Sequence, residues 1–272
     1  MKEIRDLAAN KCFASFIIDH YDELPDVTIF RHAGRFQWHE DDPLYDGGRV
    51  LSRLRIPYVQ QQGYVNLRCD WVVGCPAEIE PHIEANASWP ANDPTNGGAI
   101  AGSFFLEVFE ELFPGVYVPE SVGAPCCAQF AVSAKAIRAR PKSDYERYRT
   151  WIRTTYLGDQ LSGRIIEYMW HSKLALAVFR LHRTLTTVAV IFGQPAVTCP
   201  VTQECYCKLY GICGNVDCTR EGECSYYSFP QSLILPQGWP QYGWEGELKN
   251  LTQIQEEYED LYPDSRLQNQ LQ

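Results

Sequence analysis

Arg164, Glu167 and His171 stand three and four residues apart, the spacing that places side chains on one face of a helix. A carboxylate flanked by a guanidinium and an imidazole is a general-base constellation, with Glu167 taking a hydroxyl proton and Arg164 and His171 holding it. The same spacing also describes an ordinary surface ion pair, so the chemistry rests on what surrounds it. A second concentration of ionisable groups runs from Arg31 to Asp42, RHAGRFQWHEDD, directly after the apolar run Val27–Phe30. Loops past strand ends carry binding residues, and His32, Arg35 and His39 are the binding candidates there. His39 with Asp41 and Asp42 could hold a hard divalent ion, Mn or Mg, through carboxylates and water; the alternative is a solvated turn whose aspartates cap a helix. Arg68, at the end of a predicted strand, suits either a phosphate or a surface ion pair. Gln129 suits either substrate contact or a buried backbone partner. The adjacent Cys126 and Cys127 suit either Cys-dependent redox chemistry or a role as small core residues, the second favoured because neighbouring cysteines rarely bridge without strain.

These residues need elements to position them. Cys127–Val132 is short, apolar and bounded by Pro125 and Ser133, which predicts a buried strand. Ser133 is placed to cap a short helix that Pro141 stops. Ser143 and Glu146 form a capping-box spacing for a second helix through Tyr156, and Ser162 can cap a third that presents Ile165, Ile166, Met169 and Trp170. Upstream, residues 1–22 predict a helix and Val27–Phe30 a strand. Gly47–Arg55 predicts a helix, and Tyr58–Leu67 contains a strand. Trp71–Gly98 reads as a long loop, and Ala101–Phe113 as a core-facing helix.

The stretches GAPCCAQFAVS, RP-x-x-x-Y at Arg140–Tyr145, SGRIIEYMWH, IIDHYDELPDVTIF, QWH at Gln37–His39 and GYVNLRC together resemble the fungal domain-of-unknown-function 3431 family. The resemblance covers roughly residues 12 to 230 and includes the loop around His32 and Arg35. It implies an α/β fold, a glycosyltransferase-A-like sheet flanked by helices that lacks its first strand here, with a Cys-rich C-terminal appendage. The layout is similar to nucleotide-sugar glycosyltransferases. The implied reading is therefore a glycosyltransferase-like enzyme, or a degenerate relative, joining a nucleotide sugar to a glycan or small-molecule acceptor. The alternative is a non-catalytic, disulfide-stapled interaction protein. The implied organisation is an α/β domain over 1–193, a Cys-rich segment and aromatic strap over 194–246, and a polar tail over 247–272.

Composition bounds these readings. The net charge of −10 disfavours nucleic acid, and Arg180, His182 and Arg183 interrupt the apolar run Leu174–Phe192, which argues against a membrane span. Six of the 11 cysteines lie between Cys199 and Cys224, a density that favours disulfides and the secretory pathway or Golgi. Against secretion, the opening residues MKEIRDLAANKC carry no signal core, which leaves either a cytosolic protein with free thiols or, the favoured alternative, a longer gene product. Asn86 and Asn250 begin possible glycan acceptors, and Trp239 and Trp244 mark the strap. Within the resemblance, similarity stops at His171 and resumes at Ile191. Residues 172–190 are expected to be a translated intron, whose excision removes 18 codons and leaves one isoleucine between His171 and Ile191.

Overall fold

The computed structural model describes residues 9–34, 39–42, 47–71, 74–85, 97–171, 191–192, 199–213, 218–220 and 222–224. The fold is mixed α/β, and the chain divides into two units: 1–32, 56–67 and 71–199; then 33–55, 68–70 and 200–272. The calls on Arg35, the glycan acceptors, the aromatic strap, the polar tail and residues 172–190 lie outside the described residues.

The first unit is built on a three-stranded antiparallel sheet. Its strands are β1 (Val27–Phe30), β2 (Tyr64–Asn66) and β3 (Phe130–Ser133), in the order β1-β3-β2. Because β3 runs against both neighbours, β1 and β2 are parallel, and their carboxyl ends share the edge where β3 begins. Phe130 faces both Phe30 and Asn66 in register. All of β3 is buried, as a central strand covered on both faces must be. Phe13, Phe30, Tyr64, Phe130, Trp170 and Phe192 form one aromatic cluster on the sheet.

Around the sheet lie α1 (Ala9–Asp19), α3 (Ile56–Gln62), α4 (Pro81–Glu84), α5 (Gly97–Leu112), α6 (Ala134–Ile137), α7 (Lys142–Thr154) and α8 (Asp159–Glu167). Helix α1 packs on α7, and α5 on α8. Ser133 caps α6 as expected, its hydroxyl accepting the Ala136 N–H at 3.2 Å. The other two expected caps are corrected. Helix α7 starts after Pro141, whose fixed φ presets the entry, so Ser143 lies inside the first turn. Helix α8 starts after Gly158, and Ser162 lies within it, donating back to the Gly158 carbonyl at 3.2 Å. The expected loop Trp71–Gly98 also holds α4, an isolated bridge between Ile79 and Val122, and the start of α5.

Past α8 the chain tightens, with the Met169 N–H on the Ile166 carbonyl at 2.9 Å. The Ile191 N–H reaches the Met169 carbonyl at 3.0 Å and the Phe192 N–H the Trp170 carbonyl at 3.1 Å. The rings of Trp170 and Phe192 stack with centroids 5.6 Å apart.

The second unit holds α2 (Gly47–Ser52), α9 (Thr202–Tyr210) and a two-stranded sheet of β4 (Cys218–Arg220) and β5 (Glu223–Cys224). Helix α9 ends on Gly211 at φ 73°, a left-handed position that glycine takes without penalty. Arg55 covers its last carbonyls, with backbone N–H to Leu209 at 2.9 Å and Nη1 to Lys208 at 3.3 Å. The cysteines after residue 198 do not form a self-contained cluster. Cys199 is bonded to Cys75 and Cys205 to Cys69, while Cys207 pairs locally with Cys213. No helix among the described residues is long and apolar enough to cross a membrane.

Candidate functional site

The carboxyl-end edge of the first unit's sheet is where chemistry gathers. The chain enters β3 through Cys126–Gln129, and the two cysteines are joined to each other as a vicinal disulfide. This corrects their expected role as separate core residues. Cys127 has φ 84° and Ala128 φ 45°, two consecutive non-glycine residues in the left-handed region. The approach to this turn is held tightly. The Ala124 N–H bonds the Gly74 carbonyl at 2.9 Å, and a Cβ on Gly74 would sit 2.1 Å from the Ala124 oxygen.

Two ionisable side chains from other elements clasp Cys127. The Glu167 carboxylate, at the end of α8, accepts the Cys127 N–H and interacts with that of Ala128. His32, two residues past β1, places Nε2 2.7 Å from the Cys127 carbonyl. A carbonyl only accepts, so Nε2 carries the proton in this contact. Burial lowers the affinity of His32 for a second proton. Burial also raises the Glu167 carboxyl above its ordinary range, against the pull of the Cys127 amide, Arg164 and the Ala128 amide. The buried Tyr64 hydroxyl, pushed well up by burial and by the charge of Glu167, donates to Asn66 Oδ1 at 3.0 Å.

Of the predicted catalytic trio, Arg164 stands three residues before Glu167 on α8 and interacts with its carboxylate and with the Tyr168 hydroxyl. His171 does not continue their helical row. Helix α8 ends at Glu167, and His171 is buried beyond the following turn. Gln129 is buried, and its backbone carbonyl accepts the Leu67 N–H at 2.9 Å. Sequence reasoning missed Tyr64 and the bonded state of Cys126–Cys127. The adjacent cysteines before a strand were the available signal for the latter.

His39, Asp41, Asp42 and Arg68 lie in the second unit and are all buried, which corrects the expectations of a solvated turn and a surface ion pair. Asp41 Oδ2 accepts the N–H of Cys69 and, at 3.1 Å, that of Asp70. Arg68 Nε stands 3.6 Å from Asp41 Oδ1. Thr202 donates to the Cys69 carbonyl at 3.1 Å, beside the Cys69–Cys205 bond. Burial pushes the Asp41 carboxyl up to about 6, with Arg68, Tyr206 and the two amides opposing. Among the described residues, no three His, Cys, Asp or Glu side chains converge closely enough to hold a metal ion.

The sheet, its flanking helices and the disulfide-bearing turn define a mixed α/β protein whose ionisable side chains meet at a strand-end turn. The chain belongs to the family described as "Protein of unknown function (DUF3431)", whose model matches residues 9–208. No curated protein and no solved structure matches it.

Proposed function

We propose that this protein is a glycosyltransferase-like enzyme that uses a nucleotide sugar, with Glu167 as the base that takes the proton of an acceptor hydroxyl. The observation that carries the reading is the placement of Glu167. Its carboxylate accepts the Cys127 N–H three residues before β3, on the edge where β1 and β2 end, and burial raises its proton affinity, as a general base requires. Arg164 beside it supplies positive charge for a leaving diphosphate, and His32 marks the donor side. A glycosyltransferase-A-like arrangement of the sheet belongs to the same proposal. So does passage through the secretory pathway or Golgi, where bonds such as Cys75–Cys199 persist. The described residues offer no three-ligand set for Mn or Mg, so no step here runs through a metal.

A second reading, a non-catalytic interaction protein, draws on the fact that Glu167 also serves the backbone of Cys127. A thermal-shift screen of nucleotide sugars, with and without Mn²⁺, separates the two. A raised melting temperature with one nucleotide sugar supports the enzyme reading. With that donor, Glu167→Gln should lower turnover by about 10²-fold or more, the scale of a lost general base. No shift across the screen, or full turnover in the variant, overturns it.

A further inference from the structure

We propose that Cys126 and Cys127 are a reversible dithiol–disulfide couple, a redox modification site whose state sets how the turn presents its amides to Glu167. Three observations meet here. The ring closes on a turn that holds Cys127 and Ala128 at positive φ, a conformation costly for residues with a Cβ. Opening the ring lets both residues return to ordinary backbone angles. Cys127 is half-buried whereas Cys126 is buried, so a thiolate reaches the pair through Cys127. Finally, both backbone polar groups of Cys127 are read by ionisable side chains, the N–H by Glu167 and the carbonyl by His32. A change in this turn is therefore a change at the site.

The exchange is a two-electron step. A dithiol reductant attacks one sulfur as thiolate, breaking the Cys126–Cys127 bond and forming a mixed disulfide. Its second thiolate displaces the protein sulfur, leaving two protein thiols, two protons taken up, and the reductant as its own disulfide. When the turn relaxes, Glu167 loses amide donors that stabilise its charge, so the carboxyl holds its proton to higher pH. The long-range disulfides tie distant segments, Cys69 to Cys205 and Cys75 to Cys199, and among the described residues the positive-φ residues other than glycine are Cys127 and Ala128.

The full chain tests this by titration with dithiothreitol, alkylation and peptide mapping. The expected result is two alkylated thiols at Cys126 and Cys127 at reductant levels that leave Cys69–Cys205 and Cys75–Cys199 intact, with the bond restored on oxidation. The exposed Cys12 labels throughout and serves as the internal standard. The carboxyl infrared band that Glu167→Gln abolishes should titrate at higher pH after reduction. A double variant, Cys126→Ser with Cys127→Ser, should reproduce that shift; if it does not fold, the wild-type titration decides. Reduction of Cys126–Cys127 only together with the long-range pairs overturns the proposal, as does a Glu167 titration that ignores the redox state. Neither readout uses transferase turnover, so failure of the enzyme reading leaves this one standing.

Discussion

Asp41 and Glu167 perform the same local task with different consequences. Each is a carboxylate that receives the N–H of a disulfide-bonded cysteine and interacts with the amide of the next residue: Cys69 and Asp70 for Asp41, Cys127 and Ala128 for Glu167. Around Asp41 everything is closed. The side chain is fully buried, Arg68 is 6% exposed, and Cys69 is bonded across 136 residues to Cys205. Around Glu167 the bond joins neighbours, Cys127 and Glu167 are half-buried, and the turn is in a costly conformation. The first arrangement spends its charge on holding distant segments. The second leaves a carboxylate of raised proton affinity beside a bond that chemistry can open. A buried charge is therefore not in itself a sign of catalysis; what separates these two sites is access and the freedom of the backbone they hold.

The sharpest way to break the comparison is to remove one partner at each site. Arg68→Met leaves Asp41 buried without its guanidinium, and the expected loss is about 3–5 kcal/mol in chemical denaturation. Glu167→Gln keeps an oxygen for the Cys127 amide, so its cost should be about 1 kcal/mol. Equal losses at the two sites would erase the distinction between a structural and a functional carboxylate.

The pH dependence of stability gives the next contrast. The Asp41 carboxyl is raised from 3.8 to about 6 in the folded protein. The folded state therefore binds its proton more tightly than the unfolded state does. The contribution of this group is most favourable below 3.8 and is lost as pH rises through about 6. The Glu167 carboxyl is raised too, so it contributes with the same sign. Subtracting the unfolding curve of Asp41→Asn from that of the wild type should leave a fall in stability across that window. A flat difference would show that Arg68 and the amides, not desolvation, dominate at Asp41.

The smallest effect concerns the segment that leaves the chain just beyond Glu167. If splicing replaces residues 172–190 by one isoleucine, Ile191 would stand four residues after Met169, and Phe192 four after Trp170. The two hydrogen bonds from Ile191 to Met169 and from Phe192 to Trp170 would then be ordinary helical bonds. A chain with that replacement should fold with unchanged or slightly higher melting temperature and the same Glu167 titration. A large loss of stability would show that these residues belong to the fold. Sequencing the mature transcript checks the splice directly.

Local order was legible in the sequence where the cause was local. The apolar run Val27–Phe30 became β1, Ser133 capped α6 through a neighbour three residues away, and the period of Phe104, Phe105, Val108 and Leu112 marked α5. Cysteine density announced disulfides but not their partners, since one strand-end loop took Cys205 and another segment Cys199. Helix starts slipped where a serine competed with an upstream proline or glycine as the entry point. Their neighbours in the chain mark the two carboxylates as a base and a possible metal ligand. Their actual partners lie 28 to 40 residues away in backbone amides that every sequence contains. Spacing identified which side chains were able to carry charge chemistry. Only the tertiary structure decided which of them were closed over and which remained at a turn, because burial and amide direction are set by the packing of elements far apart in the chain.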